Sequence, residues 1–388
     1  MEVIDGLIAA RIRKIFVCST LVFILLPVSV NMSFYSISHG FSGDRIVDEC
    51  SLDMEIPCGS DYYVKFSSRN LTLDEGKFVP CTSNLSEKAK NAIVRAPAWI
   101  QRDLARQFHA IKCDAYADLI LNADEKIVDE IAFSIASSPI GDVPPTDVIA
   151  DNAIALYEND KHIGYADVVD YNISEKTHYS TVRYQVVENG LTKTVEYPPY
   201  IYYWYVVHPR VTSENPAQVY GRFWRDYLFN HNDIGYPLLK EKLSQINFLW
   251  DCQSYYQPPY RTWKWNIANH PTAIEAISYW IGKTVPKQAY GDRPVQPNVI
   301  AHEHNGWCGE LQKIAVAALR TSLIPSVGIC DHGEDHVWRE FFERGWHEND
   351  NWWADGGGAV DKPDVYAYKW RKTYLHSLHG EGMILSTM

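Results

Sequence analysis

The chain has no CxxC pair, no basic cluster beyond its first residues, no internal repeat and no low-complexity tract. Each absence removes a class of function. Without CxxC spacing there is no zinc ribbon and no thioredoxin-like redox site. With 48 acidic against 36 basic residues, a net charge of −12 and no Lys/Arg-rich face, the electrostatic footprint of a nucleic-acid binder is missing. Without a repeat there is no solenoid or propeller. No EF-hand type calcium loop is present.

What is present is an ordinary globular balance, 46% hydrophobic and 22% charged over 388 residues, enough for two or three domains with a sizeable core. Residues 15–30 form a charge-free apolar run directly behind Arg11, Arg13 and Lys14. It is slightly short of the roughly 17–25 residues of a full span. A basic flank before a short apolar segment is the pattern of a signal anchor or a signal peptide. Val28-Ser29-Val30-Asn31 lacks the small residues of a cleavage site, so an uncleaved anchor is expected over residues 1–34. Either form puts the remainder outside the cytoplasm, membrane-anchored or secreted. Eight cysteines fit an oxidising compartment without fixing any pairing.

Residues 35–85 are rich in Ser, Gly, Asp and Cys and read as an irregular stalk. From Ser86, a capping residue, helical patterns run to about residue 157. HYSTVRYQVV and TKTVEY flank Glu188-Asn189-Gly190 as a hairpin, and YIYYWYVVHP reads as an aromatic strand after it. Residues 86–240 are therefore expected to form a mixed helical and β-hairpin domain, and 241–388 a second domain. In the latter, Pro271 is placed to open a helix through TAIEAISYWIGKTV.

The chemistry concentrates between His302 and Asp361. Asn305-Gly306-Trp307 makes a turn. Leu311, Ile314, Ala315, Ala318 and Leu319 then mark one face of a helix. Cys308 lies in its first turn, where the helix dipole favours a thiolate and backbone N–H groups are open to an oxyanion. SVGIC reads as a strand ending at Cys330. HVWREFF is a second strand, with His336, Trp338, Glu340 and Phe342 on one face. A histidine there is placed as general base and acid for a nearby thiol. Trp346 opens a third strand toward Asp350, a carboxylate to orient the imidazole, with Asp355 a competitor.

Gly306-Trp307-Cys308-Gly309-Glu310, Asp335-His336-Val337-Trp338-Arg339-Glu340 and Trp346 through Asp350 together resemble the transglutaminase-like superfamily. The GxCGE and DHVW forms are most similar to its peptide:N-glycanase branch. The resemblance covers residues 272–361. It implies an α+β, papain/transglutaminase-like core, with a helix-start cysteine packed on an antiparallel sheet. It also implies Cys308 as nucleophile, His336 as base and acid, and Asp350 as orienter. The His336–Asp350 spacing of 14 is shorter than the family's, which keeps Asp355, at 19, as the alternative third member. Trp280 and Trp307 are the candidates for a second oxyanion donor and a cleft wall. The expected activity is hydrolysis or acyl transfer at an amide of a protein or glycoprotein substrate, with no cofactor and no metal. The glycanases' zinc-binding CxxC pairs are missing, so the substrate does not carry over. Two other readings stand beside it. One is a catalytically inactive cell-surface binding domain. The other is a zinc-dependent hydrolase using His302, His304, Cys308, His332 and His336.

Overall fold

A computed structural model describes residues 53–57, 62–67, 72–77, 82–250 (without 213 and 234), 263–264, 272–285, 289–331, 337–353, 357–361, 372–376 and 381–386. Side-chain burial is described for 82–250 with the same exceptions, 272–285, 289–330 and 337–347. The apolar segment at 15–30 lies outside these residues. Among the described residues no helix is long and apolar enough to cross a membrane.

The chain is mixed α and β. Its first strands, β1 (Asp53–Pro57), β2 (Tyr62–Ser67) and β3 (Thr72–Lys77), pair antiparallel in a three-stranded meander. This part of the expected irregular segment is thus strand. YYVKFS holds β-branched and aromatic residues at alternate positions, and the mainly small and polar CGSD and SRNL separate it in sequence from its neighbours.

Five helices follow. Ser86 caps α1 (Glu87–Arg95), its Oγ accepting the Ala89 N–H at 3.1 Å. Next come α2 (Gln101–Ile111), α3 (Asp114–Asn122), α4 (Val128–Ala136) and α5 (Thr146–Asp160). A second antiparallel sheet, β4 (Ala166–Tyr171), β5 (Tyr179–Glu188) and β6 (Leu191–Glu196), contains the hairpin at Asn189-Gly190. Both turn residues have positive φ, 53° and 74°, which Asn and Gly tolerate best.

The aromatic segment after it is not a strand. It is a helical turn, α6 (Pro199–Tyr202), running into a π-helical turn over Tyr203–Val207. Pro199 presets the first helical φ. Distant side chains then satisfy the groups that a helix leaves open. The Val207 carbonyl accepts from Asn152 Nδ2 at 2.7 Å, and the Val206 carbonyl accepts from Arg225 Nη2 at 2.7 Å. The tyrosines splay toward two buried carboxylates on α4. Tyr203 donates to Asp129 at 2.5 Å and Tyr202 to Glu130 at 3.1 Å. Burial, with Asp129 alongside, pushes the Glu130 carboxyl well above its ordinary range.

After α7 (Trp224–Asn230) and α8 (Leu239–Leu243), helix α9 (Ala273–Thr284) starts two residues later than expected. Thr272 is its N-cap in a capping box with Glu275, so Pro271 precedes the helix rather than opening it. Then come α10 (Pro297–Glu303) and α11 (Cys308–Thr321). The main sheet has the order β12-β13-β8-β9-β10-β11-β7. Its strands are β7 (Trp263–Lys264), β8 (Ser326–Asp331), β9 (Val337–Phe342), β10 (Trp346–Trp353), β11 (Gly357–Asp361), β12 (Lys372–His376) and β13 (Glu381–Ser386). All neighbours are antiparallel except β13 and β8.

Residues on either side of 240 share one core. Tyr165 donates to the Ser322 carbonyl at 2.9 Å, Asn159 to the Thr321 carbonyl at 3.1 Å, and the Leu249 N–H to the Gln185 carbonyl at 2.9 Å.

His347 in β10 is packed between Trp250 and Phe341, with Nε2 donating to the Glu343 carbonyl at 2.9 Å. Burial, with a smaller push from the Arg344 charge, lowers it to about 4 against the Glu343 hydrogen bond. The imidazole is therefore neutral in the fold and protonates first in the unfolded chain. Stability from this group is complete above pH ~6.5 and drains as pH falls toward 4. Urea unfolding at pH 7.5 and pH 5 should lose about 2 kcal/mol through this histidine. His347→Gln should flatten that loss, and equal losses in the two proteins would rule the linkage out.

Candidate functional site

Helix α11 is the centre of this part of the chain. Leu311, Ile314, Ala315, Ala318 and Leu319 are buried as the sequence requires, but so are Val316, Ala317 and Thr321. The helix is enclosed because β8 and β9 cover one side while α7, α9 and α10 pack around it. Two side chains, making three hydrogen bonds, fix its direction over the sheet. At its C-terminal end, Arg320 Nε donates to the Ser326 carbonyl at 2.9 Å. Two turns earlier, Gln312 Nε2 donates to the Ile329 and Trp338 carbonyls at 2.6 and 2.7 Å. Moving toward its own N-terminus, α11 therefore advances along β8 from Ser326 to Ile329. Cys308 lies about one further turn, ~6 Å, in the same direction. That is the end of the sheet where β8 stops at Asp331 and β9 starts at Val337. Gly328 is part of this fit: a Cβ there would come within 2.9 Å of Gln312 Cδ.

The helix start is tightly specified. His304 ends α10 with φ +53°, its Nδ1 2.7 Å from the Thr284 carbonyl. Asn305 is buried, accepting the Tyr290 N–H at 2.9 Å and donating to the Tyr290 carbonyl at 2.7 Å. Gly306 must be glycine, since a Cβ would lie 2.3 Å from Glu310 Cβ. Trp307 is the N-cap, and Glu310 Oε2 accepts its N–H at 2.9 Å. Arg293 Nε donates to the same oxygen at 2.8 Å, and its Nη2 is paired there too. Cys308 is the first helical residue and is half-buried; Trp307 beside it is 42% exposed.

The other expected residues fall as follows. Trp280 is 1% exposed, and its indole N–H donates to the Pro237 carbonyl at 3.0 Å, which is a core-packing arrangement. His336 immediately precedes β9 and lies outside the described residues, as does Asp355 between β10 and β11. Asp350 is in β10, its backbone opposite Ala359 of β11, just before a register shift that ends at Trp353. β10 in turn pairs with β9 through Asn349 and Arg339. Gly328 pairs with Arg339 and Ser326 with Phe341, so α11 covers the β9 face carrying those two residues, and Trp338 and Glu340 point to the other. Both faces of β9 are buried.

His302 and His304 do not converge. His302 Nδ1 is 3.4 Å from Asp233, on the side of Tyr220 and Tyr227, while His304 is held on Thr284. Among the described residues no three His, Cys, Asp or Glu are grouped to hold a metal.

Gln312 and Arg293 were missed in the sequence, and Asn305 was legible only as a turn residue, not as a partner of Tyr290. A polar residue inside the apolar face of a helix was the signal available for Gln312. Arg293 sits in a Pro-rich loop with no local cue to its partner 17 residues on. No protein-family model, curated protein or solved structure matches the chain.

Proposed function

We propose that the chain is a transglutaminase-like cysteine hydrolase or acyltransferase acting on amide bonds, built on a papain/transglutaminase-like core. The observation that carries this reading is the course of α11. Its Arg320–Ser326 and Gln312–Ile329 hydrogen bonds aim Cys308 at the end of the sheet where β9 begins, one residue after His336. Asp350 belongs to the next strand of the same sheet.

The Cys308 thiolate attacks the carbonyl carbon of a carboxamide or peptide. The N–H groups of the first turn of α11 hold the oxyanion. His336, oriented by Asp350, takes the thiol proton and gives it to the leaving amine. Water or a second amine then opens the thioester. Trp307 forms a wall of the cleft. The N-terminal basic and apolar pattern supports an extracytoplasmic location, and protein or glycoprotein amides are the proposed substrates.

An activity-based thiol probe tests the proposal. Labelling is expected at Cys308 in wild type, none in Cys308→Ala, and strongly reduced labelling in His336→Ala. Undiminished labelling of Cys308→Ala refutes it.

A further inference from the structure

Glu310 stands two residues after Cys308 and is 5% exposed. A carboxylate on the same helical turn as a thiol opposes ionisation of that thiol, because two like charges so close disfavour each other. As a cap, Glu310 is useful: it accepts the Trp307 N–H and closes the helix start. As a neighbour of a nucleophile, it is a liability. Arg293 answers both needs. Its Nε and Nη2 both bond Glu310 Oε2. The guanidinium also lies against the backbone following Cys308, since a Cβ on Gly309 would come within 3.2 Å of Nη2. The residue after the cysteine is thus a glycine where a cation has to approach.

We infer that Arg293 is a positioning residue of the Cys308 site: it neutralises the Glu310 cap and sets positive charge beside the first turn of α11, keeping the nucleophile in its thiolate form. This rests on the reading of Cys308 as the nucleophile. It goes further in assigning the charge balance of the site to a pair outside the Cys-His-Asp set. The two charges act as a unit, which gives the inference a signature. Removing the cation alone should harm the thiolate, and removing the carboxylate as well should restore it.

The test is the pH dependence of iodoacetamide alkylation, followed at the Cys308 peptide by mass spectrometry in the full chain. Cys113, exposed at the N-cap of α3, is the internal reference. Wild type should alkylate at Cys308 with a midpoint below the ordinary thiol value of about 8.5. Arg293→Met should raise that midpoint by about one unit, roughly a tenfold loss of rate on the acid side. Arg293→Lys, which keeps the charge, should stay near wild type. Arg293→Met combined with Glu310→Gln should return most of the way. Cys113 should not change in any of them. A loss of packing alone would lower stability without moving the midpoint. A depressed wild-type midpoint that Arg293→Met leaves in place overturns the inference alone, and so does a shift that Glu310→Gln fails to reverse. A wild-type midpoint at the ordinary thiol value sinks the nucleophile reading of Cys308, and this inference with it.

Discussion

Asp350→Asn should lower turnover about 10⁴-fold and Cys308→Ala by roughly 10⁶-fold, with Asp355→Asn within about tenfold of wild type. The measurement is steady-state kinetics on an amide substrate that wild type cleaves or transfers. The expected split follows from giving the orienting role to Asp350. An orienting carboxylate works by fixing one tautomer and one ring direction, so its own backbone must be fixed first. Asp350 lies inside β10, opposite Ala359, with β9 on the other side of its strand. Asp355 falls in sequence between Trp353 and Gly357 and lies outside the described residues. The loss for Asp350 is set below that for Cys308 because the nucleophile cannot be replaced, whereas an unoriented histidine still turns over slowly. A silent Asp350→Asn beside a crippled Asp355→Asn would transfer the third role to Asp355.

Elements whose reasons are local were legible in the sequence. Ser86 caps α1, Asn189-Gly190 turns the β5–β6 hairpin, and the 311–319 spacing makes α11 with Cys308 in its first turn. Where the reasons are distant, the reading failed or stayed silent. Residues 199–207 have the composition of a strand. Their helical form depends on donors from Asn152 and Arg225 and on acceptors Asp129 and Glu130, none of them near in sequence. The start of α9 moved because Thr272 and Glu275 supply a capping box, which outcompetes a proline at the first position. At the site, the cysteine's setting was readable from Gly306, Trp307 and the helix period. The charge partner at Arg293 and the Gln312 bridge to two strands were not, since each is a tertiary contact. β9 is a strand over Val337–Phe342, as its composition suggests, but Trp338 through Phe341 are all buried, so burial does not mark its faces. Which face meets the helix was decided by Gly328, the position that makes room for Gln312.

Arg320→Met should destabilise the chain by about 3–5 kcal/mol. Arg320 is fully buried in the last turn of α11. Its Nε bonds the Ser326 carbonyl at 2.9 Å, and its Nη1 bonds the His208 and Arg210 carbonyls at 3.2 and 2.8 Å. Its own carbonyl accepts from Arg225 Nη1, and Arg225 Nε reaches Asn152 Oδ1 at 3.0 Å. One guanidinium thus ties the helix that carries Cys308 to its following strand and to the segment after the π-helical turn. Burial lowers Arg320 to about 10 and Arg225 to about 9; the carboxylate of Glu214 works against the shift at Arg320, while the Arg320 charge deepens it at Arg225. Burying a cation is costly; Arg225 offsets the cost through all three guanidinium nitrogens and Arg320 through Nε and Nη1, while Arg320 Nη2 is buried without a partner. Methionine fills much of the volume and removes the charge, which recovers part of the desolvation. It also removes the donor to the buried Ser326 and His208 carbonyls and to the part-buried Arg210 carbonyl, and that loss dominates. Lysine keeps the charge but not the planar fork, so Arg320→Lys should cost nearly as much. Urea unfolding gives both numbers. A cost below about 1 kcal/mol for Arg320→Met would mean that the carbonyls find other donors and that the guanidinium does not set the path of α11 over β8. If the fork does set that path, Arg320→Lys refolded in stabilising osmolyte should still show slowed probe labelling at Cys308, because the aim of the helix start depends on where its other end is pinned.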